Sequence, residues 1–129
     1  SHLIRKAARV VNSMGNDHPF MPLYGTDYDT RDGTCVRNYT HIKDIVDGIV
    51  RITEADATNQ VECLGSKRGV TVKEVIDTMK KVSGKEFLVM SKERRPGDIP
   101  VSTIPLESRF FKETQTLEDM CRDALEYEK

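Results

Sequence analysis

The sequence has no tryptophan, only four tyrosines and four phenylalanines, and three cysteines in 129 residues. Cys35, Cys63 and Cys121 are odd in number and far apart, with no CxxC pair and no Cys/His spacing suited to zinc. That pattern argues against a disulfide framework and a metal site, and predicts reduced thiols in a cytoplasmic protein. An excess of charge of one sign is also missing. Twenty basic residues against 21 acidic ones give a formal net charge of −1, so the clustered basic surplus that drives general nucleic-acid binding is absent. Small anions are not excluded, because one or two well-placed arginines can hold them. No apolar run approaches the roughly 18 residues of a membrane helix, and no signal-peptide core is present, so no membrane partner is expected. There is no internal repeat and no low-complexity segment. The remaining composition, 37% hydrophobic and 32% charged, fits one globular domain over residues 1–129 that buries roughly two thirds of its unfolded surface without a staple. The start at Ser1-His2-Leu3 without a methionine suggests a processed or truncated product or a tag remnant.

Helices and short strands alternate along the chain. Leu3, Ile4, Ala7, Ala8, Val11 and Met14 recur at helical spacing, with Gly15 and Asn16 ending the helix. Pro19 and Pro22 disfavour a central strand, although Phe20 to Tyr24 can form a short edge strand. Gly25 to Gly33 reads as a loop. Thr34 to Ile42 alternates as a strand does, with Cys35, Arg37, Tyr39 and His41 on one face. A helix is predicted from about Lys43 to Glu54, with Asp44 favouring its dipole. Ala55 to Asn59 is a connector, Val61 to Leu64 a short strand and Gly65 to Gly69 a turn. Thr71-x-x-Glu74 is a capping box that opens a helix ending at Gly84. Phe87 to Met90 reads as another strand, Arg94 to Asp98 as a loop punctuated by Pro96 and Gly97, and Thr116 with Asp119 as the start of a last helix running to about Tyr127. The predicted class is α/β, a small mixed sheet with flanking helices.

Two sets of residues suggest an anion site. Arg37 projects beside Tyr39, and Arg94-Arg95 precede Asp98 on a rigid loop, so two guanidiniums could clamp a pyrophosphate while the carboxylate takes a sugar hydroxyl. The competing reading is that loop arginines are solvated or ion-paired. His41 suits the cap of the following helix better than a general base, since no partnered base stands beside it. Tyr39-x-x-x-Lys43 has the spacing of a tyrosine–lysine oxidoreductase pair, but that pair needs one helix face, whereas Tyr39 lies in an extended stretch. Cys35 lacks any thiolate-forming neighbour in the sequence and suits packing.

The run Gly25-Thr26-Asp27-Tyr28-Asp29-Thr30, then Asp32-Gly33-Thr34-Cys35-Val36-Arg37-Asn38-Tyr39 and His41, closely resembles the central signature of UDP-glucose 4-epimerases. Ser1-His2-Leu3-Ile4, the Leu64-Gly65, Gly69 and Val72 region, Arg94-Arg95-Pro96-Gly97-Asp98, and Leu117-Glu118 to Tyr127-Glu128 extend the resemblance over nearly the whole chain in order. UDP-arabinose 4-epimerases share several of these motifs. Asn38 stands where the family usually has aspartate, Ser102 falls near a position often occupied by an aromatic, and the 109–115 stretch is shorter than the family's.

The resemblance implies the C-terminal, substrate-binding portion of an extended short-chain dehydrogenase-type epimerase. It places uracil and ribose near His2, Leu3, Leu23 and Tyr24, the diphosphate near Arg37 and Arg95, and further pocket contacts at Tyr39, Val72 and Asp98. The family's NAD site, with its glycine fingerprint, and its catalytic tyrosine and lysine would lie upstream of Ser1. No GxGxxG or GxxGxxG occurs here, so this chain is expected to carry no catalytic residue and no NAD site, and to be inactive alone. Its expected partners are a UDP-sugar and either the missing Rossmann half or a second copy, through apolar surface and a strand edge left open. The alternative is a truncated or relic, non-catalytic UDP-sugar-binding or interaction module.

Overall fold

A computed structural model of the chain describes residues 3–13, 19–56, 61–104 and 108–129. Within them lie α1 (Leu3–Ser13), β1 (Met21–Tyr24), β2 (Val36–Arg37), α2 (Ile42–Glu54), β3 (Val70–Thr71), α3 (Val72–Ser83), β4 (Val89–Lys92), β5 (Val101–Ser102) and α4 (Leu117–Tyr127). The expected α/β architecture is present, with the strands divided between two small sheets. β1 and β4 pair in parallel, Met21 opposite Val89, and β2 lies between an antiparallel β3 and a parallel β5. The predicted end of the first helix at Gly15 and Asn16, the site residue His2 and most of the connector to Asn59 lie outside the described residues.

The core is where α1, α3 and α4 meet behind β1. Ala7 and Ala8 of α1 are fully buried, and their small side chains let the helices approach closely enough for Val75, Met79, Met120 and Cys121 to fill the space between them. Burial, with the Glu118 carboxylate adding to it, pushes the Cys121 thiol up to about 12, so this cysteine packs as a small apolar side chain. No disulfide joins Cys35, Cys63 or Cys121. The two ends of the described chain are latched together: Glu128 accepts from Arg5 Nε (2.5 Å) and Arg9 Nε (3.1 Å), and Asn12 donates to the Leu125 carbonyl (3.0 Å).

The predicted capping box at the start of α3 is present, and the predicted start of α4 is a second one. Thr71 accepts from the Glu74 amide and Thr116 from the Asp119 amide, each acid reaching back to its cap residue. α3 closes on Gly84 in the left-handed conformation. His41 caps α2, its Nδ1 accepting from Lys43 N at 3.0 Å.

Three strand expectations change. The alternating stretch from Thr34 to Ile42 pairs only at Val36–Arg37, because β3 and β5 are each two residues long. From Asn38 onward the side chain replaces the ladder: its Nδ2 donates to the carbonyls of Ser66 (2.7 Å) and Arg68 (3.2 Å), and its Oδ1 accepts from Ile104 N (2.5 Å). Val61 to Leu64 forms no strand: Ser108 N donates to Cys63 O at 3.3 Å, but no ladder of such bonds follows among the described residues, and Val61 is 97% exposed. The strand expected at Phe87 to Met90 begins two residues later, set by the register against β1, while Phe87 packs on the core. β5 was not foreseen.

α2 keeps much of its apolar face in solvent. Ile42, Val46, Ile49 and Val50 are exposed, Ile42 by 67%. Among the described residues, no helix is long and apolar enough to cross a membrane.

Candidate functional site

A cleft of about 710 Å³ opens between the first turns of α1, the end of β1, the segment leaving β2 and the inner face of α4. Arg37, Tyr39, Arg95 and Asp98 line it, as do Leu3, Tyr24 and Val72. Seven of the nine residues expected at a site therefore share one cavity. Leu23 does not; its side chain is buried in the core. His2 lies outside the described residues.

The two arginines arrive by different routes. Arg37 sits on β2, pinned between two neighbouring strands, and its Nη1 donates to the Val36 carbonyl at 2.8 Å. No carboxylate pairs with it among the described residues. Arg95 rides a turn closed by Asp98 N donating to Arg95 O, with Gly97 supplying the positive φ of 87°. Its Nε meets Asp98 Oδ2 at 3.0 Å, and its guanidinium lies over the Tyr24 ring, 4.9 Å from the centroid. This ion pair is solvent-facing and contributes little on its own, and it uses one of the five N–H donors of the guanidinium. The internal-ion-pair reading thus applies to Arg95 in part and not to Arg37.

Arg94 leaves the cleft. Its Nε and Nη2 bind the Asp27 carboxylate (2.9 Å) and carbonyl (2.8 Å), and its guanidinium lies 4.2 Å from the centre of the Tyr28 ring. Arg94 ties the Arg95–Asp98 turn to the 25–33 loop, so neighbouring arginines divide the work of anchoring and lining. Burial raises the Tyr28 phenol above its ordinary value, with the Cys35 thiol adding to the effect and Arg94 opposing it. Burial likewise raises Tyr39, against the pull of Arg37, so at neutral pH the Tyr39 hydroxyl is a hydrogen-bond donor.

The backbone beside Cys35 and Val72, which line the cleft, is fixed by Asp32. It accepts from Thr34 N (3.0 Å), Thr34 Oγ1 (2.6 Å) and Thr71 Oγ1 (2.5 Å), joining the loop before β2 to the start of α3. Burial acts to raise its carboxyl, and the hydrogen bonds from Thr34 and Thr71 with the charge of Arg31 outweigh that and hold it low.

Other sequence candidates are used structurally. Both ring nitrogens of His41 are engaged, Nδ1 by the α2 cap and Nε2 by Asp123 at 2.5 Å. Lys43 pairs with Asp47 on α2 at 3.0 Å while Tyr39 stands in the extended segment before that helix, so the two do not form the one-face pair that their spacing suggested. No group of three His, Cys, Asp or Glu side chains among the described residues could hold a metal ion. Sequence reading missed Met120 and Ala124 of α4, which form the wall facing α1; their i, i+4 spacing marks an apolar face without revealing that part of it faces a cleft.

Asn38 gives a test of how the site is held. An aspartate there would set a carboxylate against the Ser66 and Arg68 carbonyls, with no proton to donate. Asn38→Asp is expected to lower stability by about 1–2 kcal/mol, read by chemical denaturation, with the loss shrinking as the pH falls and the carboxyl regains its proton. A variant as stable as the parent at neutral pH would mean that the amide is not holding these segments.

Chemically, the cleft offers guanidiniums for an anion, a carboxylate for a hydroxyl, and apolar and aromatic walls for a flat ring.

No family model matches the sequence. Curated relatives do. A UDP-glucose 4-epimerase of Azospirillum brasilense is 32% identical over all of this chain and 38% of its own length. The UDP-glucose 4-epimerase GEPI42 of Cyamopsis tetragonoloba is 37% identical over 81% of this chain and 32% of its own length. Among solved structures, UDP-glucose 4-epimerase from Stenotrophomonas maltophila, with bound NAD and formylated UDP-arabinopyranose, superposes with a TM-score of 0.87 at 30% identity, covering 99% of this chain and 39% of that one. The Bifidobacterium longum enzyme, in complex with NAD+ and UDP, gives 0.83 at 32% identity over 98% and 38%. The chain thus spans about a third to two fifths of the length of the relatives it matches.

Proposed function

The chain belongs to the UDP-glucose 4-epimerase family by homology to its C-terminal portion, and from that premise we propose that it is the part of such an enzyme that holds the UDP-sugar. The observation that carries the reading is the meeting of Arg37, Arg95 and Asp98 in one cleft with Tyr24, Leu3 and Tyr39. Arg37 and Arg95 hold the diphosphate through charge-assisted, fork-shaped hydrogen bonds. Asp98, kept in place by Arg95, accepts from a ligand hydroxyl, and the Tyr24 and Leu3 side supports the uracil.

In this reading the chain itself holds no NAD, since its sequence has no GxGxxG or GxxGxxG. A dinucleotide pyrophosphate needs an open helix N-terminus behind a glycine-rich turn. Here the N-termini of α2, α3 and α4 are closed by His41, by Thr71 with Glu74, and by Thr116 with Asp119. The cofactor and the epimerisation chemistry at the sugar belong, in this reading, to the portion of the relatives that this chain does not span. The exposed apolar flank of α2 is the surface on which that portion packs.

Calorimetric titration of the 129-residue chain with UDP and UDP-glucose tests the proposal. Saturable binding is expected, weakened about tenfold or more by Arg37→Ala and by Arg95→Ala, the loss of one charge-assisted contact each. Unchanged affinity in both variants, or no binding by a folded chain, would overturn the clamp.

A further inference from the structure

The cleft carries more positive charge than a diphosphate clamp uses, and the surplus lies on α1. Besides Arg37 and Arg95, two consecutive cationic residues, Arg5 and Lys6, line it, and Asp98 is the one carboxylate beside them among the lining residues. Arg95 meets Asp98 through its Nε and keeps its other N–H donors for a ligand. Arg5 shares the Glu128 carboxylate with Arg9, so two guanidiniums meet one negative charge. Lys6 is exposed and makes no hydrogen bond or ion pair among the described residues. The whole chain bears a formal charge of −1, so this positive corner is a local segregation and not a reflection of a basic protein.

An ester of a nucleoside diphosphate brings two negative charges, which Arg37 and Arg95 meet. We propose that the α1 corner formed by Lys6 and Arg5 is a second anion subsite of the same cleft, taking a third anionic group carried by the nucleotide ligand. The inference rests on the reading of the cleft as a nucleotide-sugar site. The group is a carboxylate or phosphomonoester: the Lys6 ammonium offers three rotatable donors, and the Arg5 guanidinium meets Glu128 through its Nε alone. Two parts of such a ligand could carry it, the sugar as a uronate or the ribose as an added phosphate.

The test is calorimetric titration of the full chain and of Lys6→Ala with two ligand pairs, UDP-glucose against UDP-glucuronate and UMP against uridine 3′,5′-bisphosphate, at low and high salt. In one pair the more anionic member is expected to bind about fivefold tighter, the scale of one partly solvated charge contact. That preference should vanish in Lys6→Ala and shrink with salt. A gain for UDP-glucuronate places the group on the sugar, and a gain for the bisphosphate places it on the ribose. No preference in either pair, a preference that survives Lys6→Ala, or an equal loss for all four ligands overturns the subsite while leaving UDP-glucose binding to support the clamp. A folded chain that binds none of the four overturns both.

Discussion

Asp44→Ala is expected to lower the unfolding free energy by about 3–4 kcal/mol. Asp44 lies on the first turn of α2 with 1% of its surface exposed, and it accepts from Thr114 N (2.9 Å), Gln115 N (3.0 Å) and Thr114 Oγ1 (2.5 Å). Removing it strands three donors at the junction that leads into α4, and so loosens the wall formed by Met120 and Ala124. Asp44→Asn would recover only part of the loss, because its amide nitrogen cannot accept. Urea denaturation is the measurement; a shift worth less than about 1 kcal/mol would show that the carboxylate is not the anchor described. The same group sets an acid limit. Burial acts to raise its carboxyl, but the hydrogen bonds from Thr114 and Gln115, with Lys43 nearby, hold it below the ordinary 3.8, and Asp32 is held low in the same way. A carboxyl whose folded value is depressed contributes stability that is fully present above its unfolded value and lost as the pH falls through the folded one. Stability is therefore expected to be level above about pH 5 and to drop below about pH 4, with a shallower drop in Asp44→Ala.

Gly33→Ala is the second large effect, a loss of about 3 kcal/mol. Gly33 has φ of 86°, and a Cβ built on it would stand 2.1 Å from the Thr26 carbonyl oxygen. A left-handed φ alone costs an alanine about 1–2 kcal/mol, and here backbone must move as well. The loop it closes, with Tyr28 N donating to Gly33 O at 2.9 Å, feeds directly into Asp32, Thr34 and β2. Gly84→Ala is the control: its φ is also positive, yet nothing lies within 4 Å of an added Cβ. It should lose only the left-handed cost, about 1 kcal/mol. Equal losses in the two variants would show that the close approach at Thr26 is not real.

What could be read from the sequence was local. Thr71 with Glu74 and Thr116 with Asp119 announce helix starts because the hydrogen bonds that make them span three residues. Arg37, Arg95 and Asp98 could be nominated because guanidiniums on a strand and a rigid turn are few. Long-range pairing was not legible. The alternation from Thr34 to Ile42 is real, but a strand extends only as far as its partners, and those are two residues each. Val61 to Leu64 has strand-like residues, yet it meets the segment at Ser108 through one backbone hydrogen bond among the described residues and no ladder. β5 is two residues after Pro100, too short to leave a pattern. In the cleft, Lys6 and the Met120–Ala124 wall depend on how α1 and α4 pack, which no spacing within either helix encodes.

The latch between Arg5, Arg9 and Glu128 has a kinetic consequence. These contacts join residues more than a hundred positions apart, and closing so long a loop costs chain entropy before any contact repays it. α3 can form early, with both its ends capped locally, whereas α1, which packs on α3 and β1 as well as on α4, is fully enclosed only once α4 has arrived. The cleft, which has α1 as one wall and α4 as the other, is then among the last features to assemble in folding, and its opening in the native state should follow the fraying of α4.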